Sequence, residues 1–324
     1  MFPAMKTDNV ALQLSQKHMA LNVTWQGKIQ TLVGFRQKWI LSAATFIENA
    51  SFPSNFGPHQ CKFNRVPPMK MHIFRCAYLA MVLCLPALAS SSAAEVKVLT
   101  AGAFKQVVLA LVPDFERQTG NKVAVDNDTA GGLQKRIESG EAFDVAIITP
   151  TIVDGLAASG KIVPNSRVNL ATVSIGVVVK EGAPKPDIGT VEAFKNALLS
   201  AKSVAYIDPA SGGSSGIYVD KLLERLGIAD QVRPKAKLKK GGYVADLIVS
   251  GEAELGVHQI SEIVPVKGAV LVGPLPKEIQ NTTTYTAGLS AAAQNKDAAQ
   301  ALIKTFSGPA AANVFKAKGM EPAN

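Results

Sequence analysis

Four short loops carry the residues of this chain best suited to chemistry. They are Thr100-Ala101-Gly102-Ala103, Asp128-Thr129-Ala130-Gly131-Gly132, Ser211-Gly212-Gly213-Ser214-Ser215-Gly216 and Lys239-Lys240-Gly241-Gly242-Tyr243. Each stands beside the start of a stretch with helical spacing. At a helix start the first backbone N–H groups are unpaired and the helix dipole favours negative charge. Glycine lets a ligand approach that backbone closely. One such loop is equally well a turn or an N-cap. Four of them together point to a shared anion site. Its backbone would come from Gly102, Ala103, Ala130, Gly131 and Gly241, and its polar side chains from Thr129, Ser214, Ser215, Tyr243, His258 and Gln259. Lys239 or Lys240 could add charge. The basic stretch Lys235–Lys240 is otherwise a solvated face, and His258 a strand-end residue bonded to backbone.

Other chemistries fit less well. Gly212-Gly213-Ser214-Ser215-Gly216 satisfies G-x-S-x-G, and Asp246 and His258 follow in the order of an α/β-hydrolase triad. A serine hydrolase using Ser214 is therefore the rival reading. The loop from Ile207 is too long for a tight nucleophile elbow, however, and no HGGG-like segment precedes it. Cys61, Cys76 and Cys84 all precede Glu95, and His258 is the one histidine after it. A disulfide, a thiolate nucleophile and a His- or Cys-rich metal site are thereby excluded from that part. The expectation is a binder with no catalytic residues, no metal and no cofactor.

The elements that position these loops follow from periodicity. Val96–Ala101, Lys122–Asp126 and Asp144–Thr149 have strand character and alternate with helical stretches at Ala103–Thr119, Leu133–Ser139 and Thr151–Ser159. Asn127–Gly132 has the composition of a loop. A long strand at Ala171–Val179 precedes a helix at Val191–Ser200, a strand at Ser203–Ile207 and a helix at Ser215–Leu226. A helix at Tyr243–Ser250 and strands at Leu255–Gln259 and Ala269–Val272 follow. A second long strand spans Thr282–Ala291, and two helices, about 296–306 and 309–318, close the chain. Strand–helix alternation predicts an α/β protein with mainly parallel sheets flanked by helices. The two long strands predict two lobes, 95–171 with 280–324 and 172–279, joined by crossing strands that act as a hinge around a cleft.

Charge and processing signals bound the rest. The 324 residues carry a net charge of +9, but from Glu95 onward 25 Lys and Arg face 23 Asp and Glu. The basic excess lies in the first 94 residues, so nucleic acid is not an expected partner; low aromatic content, 6%, agrees. Lys70 and Arg75 precede an apolar run, Cys76–Leu85, and then Ala87-Leu88-Ala89 and Ser92-Ala93-Ala94. Residues 69–94 therefore have the pattern of a secretory signal peptide, too short to span a membrane. Residues 1–68 are expected to be a non-native extension, with translation starting at Met69 or Met71.

The motifs in their order resemble a known family. Val96–Phe104, Gly132–Asp144, Asp208-Pro209 with Gly216-Ile217-Tyr218, Leu255-Gly256-Val257, and Ser307–Ala311 with Phe315 are similar to stretches of the molybdate-binding proteins of ABC importers. The resemblance covers nearly all of Glu95–Gly319 and implies the two-lobed type II periplasmic binding-protein fold. It further implies a monomer in the periplasm that captures a small anion, such as molybdate or tungstate, for an ABC permease in the inner membrane. Ala103 and Ala130 stand where the family has serines, Ser215 and about Gly241 at its third and fourth positions, and Gln259 where it has a tyrosine. Losing those hydroxyls leaves a small organic carboxylate or phosphate ester as the alternative ligand, and a sensor or adhesin as a further role for the fold.

Overall fold

A computed structural model describes residues 93–323 of the chain. The extension at 1–68 and all of the expected signal peptide except its last two residues lie outside the described residues.

The first half of the fold runs β1 (Glu95–Ala101), α1 (Gly102–Thr119), β2 (Lys122–Asp128), α2 (Ala130–Glu138), β3 (Val145–Ile148) and α3 (Pro150–Ala158). β4 (Val168–Lys180) then leads into α4 (Val191–Ser200), β5 (Val204–Ile207), α5 (Ser214–Arg225), the single turn α6 (Ala229–Val232) and β6 (Ala236–Lys239). After these come α7 (Ala245–Ser250), β7 (Leu255–Gln259), the single turn α8 (Ile260–Ile263), β8 (Ala269–Pro274) and β9 (Thr282–Leu289). The chain ends in α9 (Lys296–Ser307), α10 (Pro309–Ala317) and β10 (Glu321–Pro322).

The strand order is β2-β1-β3-β9-β4-β7-β5-β6, with β8 and β10 also paired to β4. The flanking trios β2-β1-β3 and β7-β5-β6 are parallel, whereas β4 and β9 run antiparallel to their neighbours. The helices provide the crossovers that parallel strands require.

Burial follows the pattern of apolar residues. In α1, Phe104, Val107, Val108, Leu111 and Phe115 recur at helical spacing and are all buried. Gly120, at φ 74°, ends the helix in the left-handed conformation and bonds back to the Glu116 carbonyl. One core takes buried residues from 96–173 and 285–320. Two further clusters take theirs from 175–279, on the two faces of the other end of the sheet. β4 contributes to both sides of this division, which falls between Val173 and Ile175.

Several expectations need correction. Asn127 and Asp128 end β2, and α2 starts at Ala130, so the expected loop at 127–132 shrinks to Thr129. The Thr129 hydroxyl accepts from the Gly132 N–H, and this cap draws the glycines into the helix. The basic stretch 235–240 is not simply a solvated face. It contains strand β6, and Lys235 Nζ caps the end of α4 through the Leu199 and Ala201 carbonyls. The turn α8 was not foreseen.

Candidate functional site

The ends of β1, β2, β5 and β7 meet at a cavity of about 30 Å³ between the two groups of cores. Gly102 and Ala103 bring the start of α1 to it, Thr129 and Ala130 the start of α2, and Ser214 and Ser215 the start of α5. Neither α1 nor α5 has a side-chain cap, so their first N–H groups remain free to bind an anion. Gly241, His258 and Gln259 complete the expected members of the wall.

Two expected residues stand aside from the cavity. The Gly131 N–H donates to the Gly212 carbonyl at 3.1 Å, which ties α2 to the loop before α5. The Tyr243 hydroxyl is taken by Gln106 Nε2 at 2.6 Å, another tie between the two sides. Thr129 lines the cavity, but its hydroxyl also donates to the Ser211 carbonyl, at 2.5 Å. These three contacts close the site. Lys239 and Lys240 do not reach the wall; the Lys239 ammonium is held by Asp246 at 3.0 Å.

The same geometry removes the hydrolase triad. Ser214 Oγ accepts from Gln259 Nε2 at 3.1 Å, and Asp246 is occupied by Lys239. His258 turns its Nε2 instead to Glu262, at 3.2 Å.

The wall also contains Ala101, Asp128, Gly213 and Gly242, members of the expected loops, and Asn127, Ile207, Glu262 and Tyr285, which were not expected there. Tyr285 matters because a hydroxyl expected to be missing returns from another strand. Its O–H donates to Gln259 Oε1 at 2.8 Å, forming a relay Tyr285–Gln259–Ser214 along one wall. Burial raises the Tyr285 phenol above its usual range, so it stays protonated as a donor. In the sequence Tyr285 is one residue of a β-branched strand with nothing to mark it.

Glu262 is the other unforeseen group. It is 7% exposed, in α8, with His258 1% exposed at the end of β7. Burial raises the Glu262 carboxyl to about 8 and lowers the His258 imidazole to about 3, the latter helped by the charge of Lys239. Their separation is that of an ion pair, but burial disfavours both charged forms. Burial thus favours the neutral forms of both groups, a carboxylic acid 3.2 Å from an imidazole nitrogen. His258 Nδ1 has no partner. Glu262 Oε1 lies against Gly102, where a Cβ would come within 2.6 Å of it. No Lys or Arg lines the cavity. The donors it presents are backbone N–H groups, neutral side chains and helix ends. Among the described residues no cluster of side chains has a metal-binding arrangement, and no helix is long and apolar enough to cross a membrane.

This architecture, with a closed site between two halves of a mixed α/β sheet, is that of the type II periplasmic binding proteins, and the comparisons agree. The chain belongs to the bacterial extracellular solute-binding protein family, whose model matches residues 96–321. It is therefore a solute-binding protein of the kind that serves ABC importers. An aconitate isomerase of a Pseudomonas species is 32% identical over 243 residues, 73% of this chain and 91% of that protein. The molybdate-binding protein ModA of Azotobacter vinelandii is 30% identical over 242 residues, 71% of this chain and 91% of that one. The solved Azotobacter vinelandii periplasmic molybdate-binding protein superimposes with a TM-score of 0.61 at 21% identity, over 71% of this chain and 100% of that chain.

Proposed function

We propose that the protein captures a small organic di- or tricarboxylate in the cleft for an importer of the bacterial envelope. The observation that carries this reading is the wall: uncapped starts of α1 and α5, no basic side chain, and a buried carboxyl, Glu262, that burial favours in its protonated form. A carboxylic acid is a strong donor to a second carboxylate. Ala103 and Ala130 bring no hydroxyls of the kind that wrap a tetrahedral oxyanion. The lining sets the ligand's chemistry, and the parting of the two sides sets its size. A tricarboxylate needs more room than about 30 Å³, so it would hold the halves further apart than the contacts at Thr129, Gly131 and Gln106 do.

Thermal unfolding of the purified protein against molybdate, tungstate, sulfate, phosphate, citrate, trans-aconitate and malate tests this. A ligand at 100 times its Kd stabilises by about 2.7 kcal/mol, a shift of several degrees. The expected response is to di- or tricarboxylates. A response to molybdate and tungstate alone would return the site to the oxyanion reading.

A second reading is favoured by Glu262. In it a captured tricarboxylate is also isomerised, in line with the aconitate isomerase relative, and a buried carboxyl in the cavity wall whose pKa burial raises is suited to such work.

A further inference from the structure

We infer that Glu262 is the catalytic proton carrier of an isomerase site in this cleft, with His258 as its positioning residue. The inference rests on the carboxylate reading above and assigns the residues that would do the chemistry. It stands on placement: a buried acid in the cavity wall, one oxygen 3.2 Å from a buried imidazole and the other pressed against the start of α1.

Changing the geometry about a carbon–carbon double bond requires that bond to become single for a moment. A nucleophile can add to it, or a neighbouring C–H proton can be moved. The wall contains no cysteine, and the Ser214 hydroxyl is engaged by Gln259. Proton transfer is left. In trans-aconitate the methylene beside the double bond is acidified by its carboxylates. Ionised Glu262 removes a methylene proton, so that a C–H bond breaks and an O–H bond forms. The electron pair moves into a new double bond, and the old one becomes an allylic single bond that rotates. The O–H proton returns to carbon at either end of the allylic system. No atom is gained or lost, nothing is oxidised, and no co-reactant is needed.

The groups around Glu262 suit it to both directions. From β7 it faces His258, from β9 Tyr285, and from the loop before α7 Tyr243; these are neutral at pH 7. From α1 it meets Gly102, which has no side chain. Lys239, whose charge acts on His258, is paired with Asp246. With no cation to hold it ionised, the carboxyl titrates near working pH, where an acid–base group is most effective. The unpartnered Nδ1 of His258 allows the imidazole proton to sit on either nitrogen, so Nε2 can meet the acid or its conjugate base.

The test follows trans-aconitate with the whole protein in deuterated buffer by proton NMR, with binding measured on the same samples by thermal shift. Wild-type protein is expected to exchange the methylene protons and to form the cis isomer. Glu262→Gln should bind within about threefold and lose at least a hundredfold in turnover. Glu262→Asp, which keeps the acid but withdraws it, should fall at least tenfold. In the wild type kcat/KM should rise with pH up to about 8. His258→Gln should move the midpoint of that rise by at least half a pH unit, which loss of packing alone would not do. Binding without exchange or isomerisation in the wild type would overturn the inference and leave the carboxylate reading intact. A Glu262→Gln variant within tenfold of wild-type rate would also overturn it. No binding of trans-aconitate or of any other carboxylate would overturn both.

Discussion

At the scale of single residues, the buried pair His258–Glu262 ties stability to pH. The Glu262 carboxyl is raised from 4.5 to about 8 by burial. Its contribution is therefore complete below pH 4.5 and is lost as pH rises through 8. Over that window each pH unit costs up to about 1.4 kcal/mol. The His258 imidazole, lowered from 6.5 to about 3, has the opposite sign: its contribution is complete above 6.5 and is lost as pH falls to 3. Urea unfolding of wild type and Glu262→Gln between pH 5 and 8.5 isolates the acid. Wild type should lose stability relative to the variant across this range and level off above pH 8; a constant difference would mean that Glu262 is ionised in the folded protein. Neither Glu262 nor Tyr285 was legible in the sequence, because what distinguishes them is burial against a cavity. Residue type alone does not carry that information. The hydroxyls of Ser214 and Thr129 were legible because glycine marks the loops around them.

At the scale of elements, close packing of helix starts decides how the cleft shuts. Gly131 lies in the first turn of α2 with no positive φ, so alanine is conformationally acceptable there. A Cβ on it, however, would come within 2.9 Å of the Gly212 Cα, backbone that cannot swing away as a side chain would. Gly131→Ala should therefore leave the ligand-free unfolding temperature almost unchanged and weaken carboxylate binding at least tenfold, because the two sides cannot reach their closed contact. Isothermal titration checks this, and an unchanged affinity would show that closure at Gly131 and Gly212 contributes nothing to capture. The helices and strands themselves were readable from periodicity to within a few residues, as with α4 and β7. Two elements were misread for different reasons. α2 begins at Ala130 and takes in the Gly131-Gly132 pair because the Thr129 cap and the contact with Gly212 outweigh glycine's poor helix propensity. β6 hides in a lysine-rich run because an edge strand tolerates charge on its open side.

At the scale of the molecule, closure needs a place to bend, and Gln280 marks it. β4 pairs with β9 as far as Ser174 and with β7 from Ile175 onward, so the strand changes partners between adjacent residues. At that change Gln280 acts as a substitute strand. Its Oε1 accepts from the Ile175 N–H at 2.9 Å, and its Nε2 donates to the Ile175 carbonyl at 3.0 Å and to that of Leu275 at 3.3 Å. The division between the buried cores falls at the same residues, and two long apolar strands in the sequence pointed to such a crossing without revealing the clamp. Gln280→Ala would leave the Ile175 N–H without this partner, at about 1–3 kcal/mol if it stays dry, while the Ile175 carbonyl keeps the Leu275 N–H at 3.1 Å. The expected outcome is a destabilisation of about 2 kcal/mol in urea, with faster hydrogen exchange at the Ile175 amide while amides inside β1 and β5 keep their protection. Ligand should restore part of that protection, because holding the two halves together limits bending at the strand crossing. If exchange rises equally through both halves, Gln280 supports the whole fold and the bend lies elsewhere.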